Sequence, residues 1–214
     1  MLIAKAESKG AGSFTPVPTG MHLARCFRIV DLGTQKSSWQ GKEKLTRKIL
    51  MQFEIHSEDA SGNPLLTEKG EPLSISKRYT LSLNENAILC KDLESWRGAA
   101  FTPSERNGFN LEKLLGFWAM LNVTKSTGND GKEYTNIETI NPVPQQIKKA
   151  GLPEGHNEMM IYSIENSPQE VFEKLSEGVK KTITGSPEYQ QKAKKVSAQS
   201  FYDDDIPDFG NEPF

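Results

Sequence analysis

Ile75-Ser76-Lys77-Arg78-Tyr79-Thr80-Leu81-Ser82-Leu83-Asn84-Glu85, running on to Ile88-Leu89-Cys90-Lys91-Asp92-Leu93-Glu94-Ser95-Trp96-Arg97-Gly98, changes its hydrophobic period partway along. Ile75, Lys77, Tyr79 and Leu81 alternate with Ser76, Arg78, Thr80 and Ser82, the period-two pattern of a strand. Ser82 and Asn84 then supply cap-type side chains, with an acid three residues after Ser82. Ile88, Leu89, Leu93 and Trp96 follow at spacings that share one helical face, and Gly98 supplies the stop. A strand runs directly into an amphipathic helix, and that junction fixes how the flanking segments are ordered.

Upstream lie two more strands. Met21–Leu32 contains the β-rich run Phe27-Arg28-Ile29-Val30, and Arg47–Ile55 alternates cleanly, with Ile49, Met51, Phe53 and Ile55 on one face and Lys48, Gln52 and Glu54 on the other. Between them, 33–44 is a polar stretch expected to be a loop, and turn chemistry at Asp59–Pro64 precedes the third strand. Downstream, Leu111–Leu115 predicts a short helical turn. Phe117–Val123 and Tyr134–Ile140 predict two strands joined through Gly128-Asn129-Asp130-Gly131. Phe117 and Trp118 are adjacent and must point to opposite faces, and the pattern leaves open which faces inward. Three strands, a helix and two strands within about 120 residues is the order of an OB-fold, a five-stranded Greek-key barrel with a helix between strands three and four. The expected fold class is therefore mainly β with helices.

The flanks complete the organisation. Residues 1–19 end in a Gly-, Pro- and Ser-containing run that predicts a flexible arm, and 20–141 form the barrel domain. Residues 142–184 predict a helical extension, in which Pro168–Lys181 places Val171, Phe172, Leu175 and Val179 on one face. Residues 185–200 are polar and basic and predict a linker to a disordered acidic tail at 201–214.

Charge is distributed unevenly along the 214 residues. All 26 bases lie at or before Lys195, and the five acids after it leave 23 of the 28 acids in the body, so the body is +3 and the end −5. The two cysteines, Cys26 and Cys90, lack metal-ligand spacing and predict buried, reduced thiols of a cytoplasmic protein. Met1–Lys9 lacks the pattern of a secretion signal, and no apolar run approaches a membrane span. His22, His56 and His156 are far apart, and there is no phosphate-cradling Gly loop, nucleophile elbow or paired-acid cluster. The expectation is a binding protein rather than an enzyme, without metal or cofactor.

Binding chemistry is better represented. Arg25–Lys48 holds seven bases (Arg25, Arg28, Lys36, Lys42, Lys44, Arg47, Lys48) against Asp31 and Glu43. A groove of this charge tracks a phosphodiester chain, because each neutralised phosphate releases a counterion. Trp39 lies in the middle of that polar stretch, where it either packs back or stacks on a base; the two roles weigh evenly. Arg78 on strand three, and Lys125, Lys132 and Tyr134 around the last hairpin, extend the set, with Tyr134 as a second stacking platform. Tyr79, Phe53 and Trp96 are expected in the core. The tail sets Asp203, Asp204, Asp205 and Asp208 among Ile206, Pro207, Phe209 and Phe214, acids that steer with apolar side chains that insert, as a docking peptide requires.

The run Asp203-Asp204-Asp205-Ile206-Pro207 resembles the acidic tip of bacterial single-stranded DNA-binding proteins, although Asp208 follows the Pro and Phe214 comes seven residues after it. The body, through Ala24-Arg25-Cys26-Phe27-Arg28-Ile29-Val30-Asp31-Leu32-Gly33-Thr34-Gln35, Lys77–Asn84, Asp92–Gly98 and Leu111–Gly116, is similar to single-stranded DNA-binding proteins of tailed bacteriophages over about residues 20–141. The resemblance implies sequence-independent binding of single-stranded DNA in phage replication or recombination within a bacterial cytoplasm, with the tail calling in replication or recombination proteins. The tetrameric assembly of the bacterial proteins is not implied, nor is the structural zinc of some phage relatives, for which this chain has no ligand set. Nothing in the sequence separates DNA from RNA. The rival expectation is an OB-type adaptor or replication scaffold that touches no DNA, and the basic Arg25–Lys48 segment with Trp39 argues against it.

Overall fold

The computed structural model describes residues 15–39, 42–128 and 131–203, with side chains for all of these except 38, 39, 42 and 196–203. Among them, six strands form one sheet: β1 (Gly20–Trp39), β2 (Lys42–Ile55), β3 (Ser74–Thr80), β4 (Trp118–Thr127), β5 (Glu133–Asn141) and β6 (Met160–Tyr162). Their order is β3-β2-β1-β4-β5, all antiparallel, with β6 added parallel to β1 at Arg28–Val30. Between β3 and β4 lie α1 (Ile88–Arg97), α2 (Pro103–Asn107) and a 3-10 turn at Leu111–Leu114. After β5 come α3 (Gln145–Ala150) and, beyond β6, α4 (Gln169–Glu173), α5 (Glu177–Thr184) and α6 (Pro187–Asp203). No helix among the described residues is long and apolar enough to cross a membrane.

The first face of the sheet holds the larger core. Cys26, Ile29, Ile49, Met51, Phe53 and Ile55 meet Ile75, Tyr79, Leu121, Val123, Ile137 and Ile140, and α1 closes this core with Leu89, Cys90, Leu93 and Trp96. Phe53 and Trp96 meet edge to face at 5.7 Å, and the Trp96 indole N–H donates to the Trp118 carbonyl at 2.8 Å. Tyr79 is buried and donates its hydroxyl to Asp92 at 2.8 Å, tying β3 to α1. The expected core roles of Phe53, Tyr79 and Trp96 are what the structure shows, and burial pushes the Cys26 thiol up to about 12. On β4, Ala119, Leu121 and Val123 point inward; Trp118 lies on the other face against His56, and Phe117 stands exposed. Val17, at the end of the predicted N-terminal arm, is buried in this core, while residues 1–14 of that arm lie outside the described residues.

The second face is the surprise. Val30, Leu32 and Leu50 pack against Met160, Tyr162, Ile164, Phe172, Leu175 and Ile183 in a separate core made with the C-terminal helices. Irregularities in β1 between Cys26 and Arg28 and between Asp31 and Gly33 shift its register against β2, as β-bulges do. Gly33, with φ of +70°, brings the backbone so close to Ser186 that a Cβ would lie 2.5 Å from that side chain.

Four expectations need correction. The predicted loop at 33–44 is a continued hairpin, because β1 and β2 stay paired out to Trp39 and Lys42. Helix α1 begins at Ile88 with Ala87 as cap; the Ser82 hydroxyl instead accepts from the Asn84 N–H within the preceding turn, and Ile88 is exposed. The single helix over Pro168–Lys181 is α4 and the start of α5, broken so that Phe172, Leu175 and Ile183 all reach the second core. The linker at 185–200 is largely α6, whose first turns are docked: Tyr189 stacks on Phe172 at 5.2 Å, Lys192 donates to the Ile164 carbonyl at 2.8 Å, and Glu188 accepts from the Thr34 N–H at 2.9 Å.

One buried carboxylate joins these layers. Glu54, fully buried on β2, accepts from Arg25 Nε at 2.7 Å, His56 Nε2 at 3.0 Å, the His156 N–H at 3.0 Å, and the Asn157 N–H and side-chain amide at 2.7 and 2.6 Å. Arg25 also donates to the Asn157 carbonyl at 2.6 Å. Removing one partner of a buried pair leaves the other charge unmet, so Glu54→Ala lowers stability by about 3–5 kcal/mol in urea unfolding. Burial pushes the Glu54 carboxyl up, but the donors from Asn157, His56 and His156 outweigh it and hold it at about 2, against an ordinary 4.5. Because the folded value is depressed, this stabilisation is complete above pH 4.5 and is lost as the pH falls towards 2. Glu54→Gln should therefore flatten the fall of Tm with pH across that window, as followed by circular dichroism.

Candidate nucleic-acid interface

The two edge strands β3 and β5 face each other across a groove of about 460 Å³ lined by Gln52, Ser74, Ser76, Glu133, Tyr134 and Thr135, with Pro16 and Ile75. A hydrogen bond joins them, from Lys77 Nζ to the Glu138 carbonyl at 3.3 Å. Tyr134 is 48% exposed here, an amphipathic ring at the groove. On the same hairpin Lys125 pairs with Glu133 at 2.9 Å and Lys132 is exposed. Ser and Thr hydroxyls beside an exposed ring suit contacts to phosphate and base face alike.

Strand register decides which of the remaining bases cooperate. Lys48 is opposite Thr80, and donates to its hydroxyl at 2.7 Å; Arg78, two residues earlier on β3, is exposed on the same face. Lys44, four residues before Lys48 on an unbroken β2, shares that face and is exposed. Lys44, Lys48 and Arg78 thus form one row that leads from the hairpin arm towards Ser76 and Gln52. Lys36 and Arg47 fall on the opposite face, since Lys36 is opposite Leu45 and Thr34 is opposite Arg47. The basic segment is therefore two surfaces rather than one patch.

The bases also differ in how far they are already engaged. Arg47 donates to both oxygens of Asp31, at 3.2 and 2.6 Å, and to Glu165 at 3.3 Å; the hydrogen bonding to Asp31 raises its affinity for its proton. Arg28 is half-buried over the Phe27 ring, donates to Gln52 at 3.3 Å, and is held below its ordinary pKa by burial; its Nε has no hydrogen-bond partner among the described residues. Arg47 and Arg28 hold the sheet. Lys36, paired with Glu43 at 2.8 Å with both side chains two-thirds exposed, is in an ion pair that contributes little. Trp39 and Lys42 close the arm opposite each other, and their side chains lie outside the described residues.

Gln52, Ser74, Ser76 and Thr135 are groove residues that the sequence pattern missed. The available signal was the small polar side chains alternating along β3, which also fits any solvated strand. Asp203 ends α6, its side chain undescribed, and Asp204, Asp205, Ile206, Pro207, Asp208, Phe209 and Phe214 lie outside the described residues. Among the described residues no three His, Cys, Asp or Glu side chains gather as metal ligands. No family model matches the chain, and no curated protein matches it.

Arg47→Ala should cost about 1–3 kcal/mol by leaving the buried Asp31 carboxylate short of donors. Lys36→Ala and Lys44→Ala should each stay within about 0.5 kcal/mol of the parent. Thermal unfolding of the three variants side by side checks this division.

Proposed function

We propose that this chain binds single-stranded nucleic acid, DNA in the first instance, without reading its bases. The reading rests on one observation: the β3–β5 groove, with the half-exposed Tyr134, is continuous with the row Arg78, Lys48 and Lys44. A row of bases follows a phosphate backbone, and an aromatic platform accepts any base. Lys36, Lys42, Trp39, Lys125 and Lys132, on the two hairpins that leave the sheet at opposite ends of β1, would close over a bound strand.

The strand order, the facing edges β3 and β5, and α1 placed between β3 and β4 support reading the sheet as an OB-type barrel. On this reading the protein coats single-stranded DNA during replication or recombination, as its resemblance to phage single-stranded DNA-binding proteins implies. The acidic segment at 203–214 would recruit replication or recombination proteins.

Titration with oligo-dT should quench tryptophan fluorescence, with an affinity that falls as salt rises, while duplex of equal length has little effect. Trp39→Phe should remove most of the quench, because Trp96 is buried in the core and Trp118 packs edge-on against His56. Arg78→Ala with Lys44→Ala should lower the slope of log K against log salt by about 1.4, roughly 0.7 for each phosphate no longer neutralised. No response to oligo-dT at low salt, with no gel shift, would leave the adaptor reading in its place.

A further inference from the structure

A second concavity, of about 380 Å³, opens beside α1, away from the β3–β5 groove. Its floor is apolar, formed by Leu93, Trp96, Leu114 and Val143, and Phe117 stands at its lip 63% exposed. Arg97, Lys113 and Lys148 rim it. Its one acid, Glu105, is held by Arg97 at 2.9 Å and closes the capping box of α2, whereas Lys113 and Lys148 form no ion pair with any described residue. An apolar hollow with two uncommitted ammonium groups on its rim accepts apolar side chains and leaves acids at the edge.

We propose that the occupant is the acidic segment 204–214 of this chain. It carries Ile206, Phe209 and Phe214 among Asp204, Asp205, Asp208 and Glu212, and it contains no base. Its eleven residues follow directly on α6, which ends at Asp203, and extended they reach about 36–40 Å. The charge complementarity is direct: Lys113 and Lys148 lack counter-charges among the described residues, and the segment lacks bases. A nucleic-acid strand suits the hollow less well, because its apolar floor offers no hydrogen-bond partner for base edges, and the polar pair Arg97–Glu105 is already engaged. Docked there, the segment leaves the β3–β5 groove open, so its release to a partner protein and the binding of DNA are separate events. The proposal stands independently of the DNA-binding reading.

Zero-length carbodiimide coupling of the full chain, without nucleic acid, tests it by joining lysines to carboxylates in contact. No base follows Lys195, so trypsin releases the whole end of the chain as one peptide from Val196 onward. The expected products join that peptide to Lys113 or Lys148, at several times the yield at the exposed loop residue Lys69. They should fall several-fold in Phe117→Ala and in Phe209→Ala/Phe214→Ala, and at high salt. Mixing light and heavy-isotope chains shows whether the segment comes from the same molecule or a second copy, and either source supports the proposal. Yields at Lys113 and Lys148 no higher than at Lys69, or products centred on Lys36 and Lys44, would overturn it. Photocrosslinking of oligo-dT to the peptide containing Phe117 would also overturn it, assigning the hollow to nucleic acid.

Discussion

Glu54 is a carboxylate with no exposed surface one residue before the end of β2, and it ties the segment at His156 and Asn157 to the sheet. A buried carboxylate is tolerated only when its lone pairs are met, and here five donors meet them. Three of the five come from His156 and Asn157, in a segment without regular secondary structure. Fixing that segment delivers Met160–Tyr162 to the free edge of β1 in parallel register, and Ile164, Phe172, Leu175 and Ile183 follow onto the second face. Gly155 is part of the same fit, since a Cβ there would lie 1.6 Å from the Arg25 guanidinium carbon.

With both faces of β1 and β2 covered, little of the sheet is left for a ligand. What remains is the outer edge of β3, the β3–β5 groove and the hairpin arm beyond Gly33. The irregularities in β1 make this division possible, because the shift in register puts Cys26 and Ile29 in one core and Val30 and Leu32 in the other. An unbroken alternation would have sent these residues to fixed sides and left one core incomplete.

The elements legible in the sequence are those whose pattern is local. The switch from period two to helical period at Thr80–Ile88, and the alternation of β2, place β2, β3 and α1 to within a few residues. The second core was hidden because its signals are scattered: Leu50 on the polar face of β2, a run through Phe27–Leu32 whose apolar residues take both parities, and short helices with few apolar positions each. Taken together, Leu50 and that run mark a strand pair buried on both faces, but neither does so alone. At the interface, sequence counted bases and could not tell which were already engaged. Arg47 and Lys44 are equal in composition, yet only Arg47 faces Asp31 across the strand pair.

That difference between engaged and available charge bears on the proposed function. Ion pairs of the Lys36–Glu43 and Lys125–Glu133 kind, half or more exposed on both sides, contribute at most about 1 kcal/mol and exchange readily for a phosphate. Arg47 cannot be exchanged without exposing Asp31, a cost the phosphate would have to offset. A chain that must take up and release a strand of any sequence needs the first kind of cation on its hairpins and the second kind in its frame. The structure separates them in this way: the exposed pairs sit on the two hairpins, and the buried pair Arg25–Glu54 and the partly buried pair Arg47–Asp31 sit where β1 is held to β2. On the proposed reading, binding would be weak per contact and still directional, because the contacts are aligned by a frame whose own ion pairs they do not use.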